Sequence, residues 1–426
     1  MGIAQRRSPR GPGRLLHHGG QRVLQGPGDG KRSRRPLRPS VPSRGERLGV
    51  WQGDVRKFRC PLPCSPQRVV AMSTTAKRDL GQFFTRDVVW MRPHIKQHLS
   101  TLRQRYSVCV DPFAGDGHLL RASSQFGFSP VGHDVDPSMC GANGWGAAND
   151  SIRNVPVHDR AFVLTNPPYL AKNSAKRLGS TTVDYFQQEP TSLVDPSRAG
   201  VLDDLFKIAI ERTIAHYDDS VWIVPESVIQ DLNRLPHWRQ RLHSVTILEE
   251  NPFTDTEHPV CVLVFTTSNP EGLVWKNDAC LGLYEELWTI HQQTLSSPGD
   301  ALHVRFNAPD GTMGYRAVDG TKSDGSMRIG FCLGSELGYD RRKIKVSSRH
   351  MTYIETSLSP SDLERVVLEA NRQIEHYRSA TADVFLTAFM GNTKSGVRRR
   401  RLDYKLARKF LNSSYLAVKN PENHTH

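Results

Sequence analysis

The chain has no apolar run long enough to cross a membrane, so no helical membrane span is expected. Cysteine is sparse and scattered. Cys60 and Cys64 fall in a first segment without a sustained apolar period, so their spacing does not read as a zinc site. Cys109, Cys140, Cys261, Cys280 and Cys332 show no framework spacing. Disulfide-built folds are therefore excluded, and these five read as reduced core residues of a cytosolic protein. Acidic residues are nearly missing from one region only. Residues 1–71 hold 14 Arg and 2 Lys against 3 acids, a net of +13 within a formal charge of +14, which leaves residues 72–426 at +1. The chain is thus not a basic nucleic-acid binder along its whole length.

That first segment is rich in Gly, Pro, Arg and Ser and could not bury a core, so residues 1–71 are expected to be a disordered basic tail. Its prolines break any amphipathic targeting helix, and it lacks the apolar stretch of a secretory signal. A start at Met72 is the expectation, because Met72-Ser-Thr-Thr-Ala-Lys77 leads directly into Gly81-Gln82-Phe83-Phe84-Thr85. The remaining 355 or so residues suit two domains, 72–268 and 269–426.

Ser107–Val110 reads as a short buried strand that turns sharply through Asp111-Pro112-Phe113-Ala114-Gly115-Asp116-Gly117 into a helical pattern from His118. Gly115 and Gly117 permit backbone conformations and a close approach that side chains forbid. The loop is not the GxGxxG of dinucleotide folds and lacks the Lys-Ser/Thr of a phosphate-binding loop, which favours a cofactor without phosphates. A second strand from Phe128 ends in His133-Asp134-Val135-Asp136. There Asp134 can accept from both ribose hydroxyls and Val135 can pack on an adenine ring. The competing reading is that Asp134 and Asp136 only begin a surface turn.

About fifty residues beyond the glycine loop, the apolar run Ala161–Thr165 ends in Asn166-Pro167-Pro168-Tyr169. An amine conjugated to a ring is a poor nucleophile because its lone pair is delocalised. The Asn side-chain oxygen and the following carbonyl are two fixed acceptors that can hold both N–H bonds and free that pair, and the prolines stiffen the turn that aims them. Tyr169 offers a stacking face for a base. A bare NPPY could be an ordinary turn after a strand; the glycine loop at this distance is what gives it meaning.

With these motifs in this order, the stretch from Lys77 to Phe265 resembles the adenine-specific DNA N6-methyltransferases that use S-adenosylmethionine. Gly81–Thr85 is similar to that family's GQFFTP-like motif, with Arg86 where proline is common. The resemblance implies that Gln82, Phe83, Phe84 and Thr85 touch the methionine part of the cofactor. It also implies that Asp150, with Asp159 as rival, accepts from the cofactor's adenine amino group. Phe253 is implied as a second aromatic wall opposite Tyr169, against the alternative that it plugs its loop into the core. The implied fold is α/β, a Rossmann-like methyltransferase sheet with helices on both faces, followed by a C-terminal α+β target-recognition domain. This stretch has no Pro-Cys pair, which argues against cytosine carbon methylation, and NPPY argues less firmly against cytosine N4.

Past residue 268 the composition changes to short strands separated by Gly and Asp turns, as between His303 and Lys322. Ser359-Pro360-Ser361-Asp362 reads as a helix start, with a run expected through Tyr377. Arg341, Arg342, Lys343 and Lys345 form one basic cluster, and Arg398, Arg399, Arg400 and Arg401 another. Beside a stretch resembling a DNA enzyme they are expected to contact phosphates, the alternative being solvated surface. The resemblance implies double-stranded DNA as substrate partner, a separately encoded restriction endonuclease as cognate partner, and a cytoplasmic, nucleoid-associated enzyme in a prokaryotic cell; the sequence leaves the oligomeric state open, a monomer being one option. No metal is expected. Two rivals remain: a protein glutamine N5-methyltransferase, whose usual layout is the reverse of this one, and a nucleic-acid-binding protein that has lost catalysis.

Overall fold

The computed structural model describes residues 89–187, 200–253, 257–296, 301–322, 324 and 326–420. The readings of residues 1–71 and of Gly81–Thr85 lie outside them.

Three apolar runs make the centre of the larger sheet. Ala161–Thr165 (β3), Ser220–Pro225 (β4) and Val260–Phe265 (β6) are buried at every position, as strands covered on both faces must be. Around them lie Val108–Asp111 (β1), Ser129–Gly132 (β2), Leu242–Ile247 (β5), Leu273–Lys276 (β7) and Ala279–Leu283 (β8). The order across the sheet is β2-β1-β3-β4-β6-β5-β7-β8. The first four strands run parallel, and β6 lies antiparallel between β4 and β5. Parallel neighbours cannot be joined by a tight turn. Helix His118–Ser124 therefore joins β1 to β2, and helix Leu205–Thr213 precedes β4.

This is the expected Rossmann-like α/β architecture. The chain leaves β1 for β2 on one side and returns to β3 on the other, so the loops leaving the carboxyl ends of β1 and β3 diverge and open a crevice between them. Those loops are Asp111–Gly117 and Asn166–Tyr169.

Two expectations shift. β5 begins at Leu242 rather than near Thr246, because Leu242 and Ser244 also find partners on β6 beyond the polar His243. The sheet also continues past residue 268, with Thr246 of β5 paired in parallel to Trp275 of β7. An unpaired edge on β5 would leave its backbone groups open, and β7 covers it. The division expected at 268/269 therefore runs through a continuous sheet.

The C-terminal part is α+β, as expected. Val304–Phe306 (β9), Met313–Arg316 (β10), Gly330–Leu333 (β11) and Met351–Thr356 (β12) form an antiparallel sheet in the order β11-β10-β12-β9. Thr387–Asn392 (β13) and Arg398–Arg401 (β14) form a separate hairpin. Helix Pro360–Thr381 starts as expected: the Ser359 hydroxyl accepts from the Asp362 N–H at 3.2 Å, and Pro360 opens the first turn. It runs four residues beyond Tyr377. Its inner face, with Val366 and Ile374, packs with Tyr315, Phe331, Phe410 and Leu411 in a second core. Val384 and Phe385, just after that helix, instead enter the first core, where Phe385 packs edge-on to Tyr284 and Trp288.

Candidate active site

The loop after β1 is fixed by buried carboxylates. Asp111 accepts from the Phe113 N–H at 3.0 Å and from the Thr165 hydroxyl at 2.5 Å, which ties the carboxyl ends of β1 and β3 together. Burial pushes the Asp111 carboxyl from 3.8 up to about 7. Gly115, at φ 53°, donates its N–H to Asp134 Oδ2 at 2.9 Å, and Asp134 Oδ1 accepts from the Asp136 N–H at 2.8 Å. Burial raises the Asp134 carboxyl as well. Asp134 is thus no mere surface turn: it braces the glycine loop and lines the cleft. Gly117, at φ 78°, and Gly132 make room for Trp145. A Cβ on Gly132 would stand 2.5 Å from the indole, and one on Gly117 3.0 Å from it.

These loops border an open cleft. Asp111, Phe113, Ala114, Gly115, Asp134 and Val135 line one part of it; Asp150, Asn166, Pro167 and Pro168 line another. Pro112 and Gly117 shape the turn without lining the cleft. Val135 is 46% exposed, an apolar side chain facing open space. Asp150 lines the cleft, while its rival Asp159 sits exposed in the turn before β3.

Several lining residues carried no sequence signal, Thr182, Tyr185 and Leu205 among them. Tyr185 donates its hydroxyl to Asp150 Oδ2 at 2.9 Å, and Arg153 stands 3.3 Å from the same oxygen. The remaining Asp150 oxygen accepts from the Ile152 and Arg153 N–H groups at 3.2 and 3.3 Å.

The Tyr169 hydroxyl contacts Asn166 Oδ1 and, at 2.7 Å, the Ile223 carbonyl. Its ring is enclosed by Phe206, Phe253 and His258, with centroids 6.1, 6.3 and 6.0 Å away. This corrects the expected sandwich. Tyr169 and Phe253 meet edge to face at 70°, whereas a base held between two faces needs near-parallel rings roughly 7 Å apart, twice a van der Waals contact. Both rings are buried, so stacking on Tyr169 requires Phe253 to turn away.

The second arginine cluster is corrected too. Arg398 and Arg400 are only 3% and 1% exposed. Arg400 forms an ion pair with Glu226, at the turn after β4, and Arg398 donates to the Glu249 carbonyl at 3.2 Å. Charges turned inward against protein partners do not meet phosphates. Arg399 lies over the Phe389 ring at 4.8 Å and donates to the Asp319 carbonyl. Arg401, next to it, is partly exposed. Arg341, Arg342, Lys343 and Lys345 are all exposed. Among the described residues no group of His, Cys, Asp and Glu is placed to hold a metal ion, and no helix is long and apolar enough to cross a membrane.

No family model and no curated protein matches the chain. Among solved structures, it is similar to the methyltransferase subunit of a type I restriction-modification system from Streptococcus thermophilus. That match has 16% identity over 50% of this chain and 53% of the other, with a TM-score of 0.31, so the chain spans about half that protein's length. It is also similar to the M protein of the type I restriction enzyme EcoKI, at 14% identity over 72% of each chain, with a TM-score of 0.30.

Proposed function

We propose that the protein is an S-adenosylmethionine-dependent methyltransferase acting on the exocyclic N6 of adenine in duplex DNA, as the modification enzyme of a restriction-modification system. One observation carries the reading: a single cleft at the strand-order reversal gathers the glycine loop, Asp134, Val135, Asp150 and the Asn166-Pro167-Pro168 turn.

The cleft's chemistry fits a nucleoside cofactor without phosphates. It offers carboxylates for ribose hydroxyls and for an adenine amino group, an exposed valine as an apolar face and, among the described residues, no phosphate-binding lysine. Asp134 would hold the ribose, Val135 the adenine face and Asp150 its amino group. Bound there, S-adenosylmethionine supplies an electrophilic methyl.

The chain's own residues prepare the acceptor. Asn166 Oδ1 and the Pro167 carbonyl accept the two amine protons, which draws the nitrogen toward tetrahedral geometry and releases its lone pair. The Tyr169 hydroxyl, shared between Asn166 Oδ1 and the Ile223 carbonyl, holds the Asn166 side chain in place, and its ring becomes a stacking face when Phe253 turns away. Reaching a base in a duplex requires rotating it out, at a cost of a few kcal/mol.

The test is to incubate the protein with labelled S-adenosylmethionine and mixed DNA, digest to nucleosides and identify the labelled product. N6-methyladenine within a fixed sequence context is the expected result. Label on a cytosine, or only on glutamine of an added protein, would overturn the substrate assignment.

A further inference from the structure

The cluster that begins at Arg341 continues into a turn that methyl transfer leaves without a role. Arg341 lies over the Tyr353 ring at 3.9 Å and donates to the Gly311 carbonyl at 3.0 Å; Arg342 pairs with Asp340. Ile344 is buried with Leu337 and Tyr353. The next residues turn outward. Lys343, Lys345 and Arg349 are exposed and form no ion pair among the described residues. Between them stands Val346, 92% exposed.

This turn is braced from below. The Lys345 N–H donates to Ser348 Oγ, and the Ser348 N–H to the Lys345 carbonyl, each at 2.9 Å. Asn307 Nδ2 donates to the Val346 carbonyl at 2.8 Å, and the Tyr404 hydroxyl to the Ser348 carbonyl at 2.6 Å. A solvated charge run needs no such fixing, and an apolar side chain held out in water gains nothing unless a partner covers it.

The turn also connects, through the hairpin, to the segment that carries Phe253. His350, at its end, meets Phe389 of β13 edge-on at 5.1 Å. The same hairpin reaches the Glu249 carbonyl through Asn392 at 3.1 Å and Arg398 at 3.2 Å, two residues before the Asn251–Phe253 segment.

We propose that the turn Lys343–Arg349 is the sequence-reading element: it enters the major groove of duplex DNA, with Lys343, Lys345 and Arg349 on phosphates and Val346 on a thymine methyl group. The three unpaired cations select a polyanion. Among nucleic acids, the valine selects DNA, because the thymine methyl is the one apolar feature displayed in the B-form major groove. An A-form RNA duplex has no such methyl, and its major groove is too narrow to admit side chains. The inference rests on the reading of the chain as a DNA methyltransferase, so its test uses binding rather than methyl transfer.

The full chain is titrated against a fluorescein-labelled pool of random-sequence DNA duplexes at several salt concentrations, and the duplexes it retains are sequenced. Replacing Lys343, Lys345 and Arg349 together by Gln should lower the slope of log Kd against log salt by about 2.7, close to 0.9 per phosphate contact. V346S should leave the slope unchanged and relax the retained sequences at a thymine position. An unchanged slope in the triple variant, unchanged sequences for V346S, or tighter binding to a double-stranded RNA of matched length would each overturn the proposal. If the wild type methylates no DNA while the triple variant still loses slope, the DNA-contacting turn stands and the methyltransferase reading falls. If the wild type methylates DNA while the triple variant keeps its slope, the methyltransferase reading stands and the turn is not the DNA contact.

Discussion

Asp111 holds its proton far above the ordinary carboxylate range because it is buried where the ends of β1 and β3 meet. Between about pH 4 and about 7 the folded chain keeps this proton while the unfolded chain has lost it. Stability from this group is therefore full below the unfolded pKa and declines as pH rises toward 7. D111N carries no such proton and should gain on the wild type across that window, measured as urea midpoints from pH 4 to 8; a constant difference would show that burial does not govern this carboxyl. Under the proposed function, Asp134 serves cofactor binding and Asn166 serves the chemistry, and two variants test that division. D134A should weaken S-adenosylmethionine by roughly 1.5–3 kcal/mol, the worth of hydrogen bonds to a charged group. N166A should leave that affinity nearly intact and abolish transfer, both read by calorimetry and by label incorporation. Equal loss of cofactor binding in the two variants would reject the division of roles. Asp111, Gly115, Asp134 and Asn166 were legible in the sequence because a tight turn dictates its residue types locally. Tyr185 was not, since only the folded chain brings it to Asp150.

The β13–β14 hairpin shows why an element can hide in plain text. β14 is Arg398-Arg399-Arg400-Arg401, with Arg398 and Arg400 buried and the alternate positions partly exposed. Such alternation normally reads as a half-buried strand, but four identical residues give no contrast for a period to show. The buried Arg400–Glu226 pair joins this hairpin to the turn after β4. Removing one partner strands the other charge in the interior, so R400A should cost about 3–5 kcal/mol in denaturant unfolding. Replacing both with apolar side chains of similar volume, R400M with E226L, should recover most of that loss. A cost within error of zero for R400A would mean that the pair is solvated in solution. The β3, β4 and β6 runs are plain in the sequence for the opposite reason: continuous burial asks for continuous apolar sequence.

At the scale of the molecule, charge and packing divide the chain differently. The excess of +13 lies in residues 1–71. A chain starting at Met72 should keep its affinity for S-adenosylmethionine, while its non-specific affinity for DNA and the salt dependence of that affinity fall, both measurable by titration. A loss of cofactor binding would tie the first segment to the cleft. A change of composition was legible near residue 268, yet composition does not reveal which strands share a sheet, and the sheet continues past it into β7 and β8. Nor does it reveal that Val384 and Phe385 complete the first core. That last contact has a consequence for synthesis. At ordinary rates of translation the ribosome needs on the order of ten seconds to travel from β6 to the hairpin. Throughout that interval the emerging chain already carries its Asn166 turn but lacks the residues that cover Tyr284 and Trp288, and Glu226 waits without its arginine. The nascent chain should therefore be most open to proteases, and most in need of a chaperone, after the loops that line the cleft have been made and before Arg400 has left the exit tunnel.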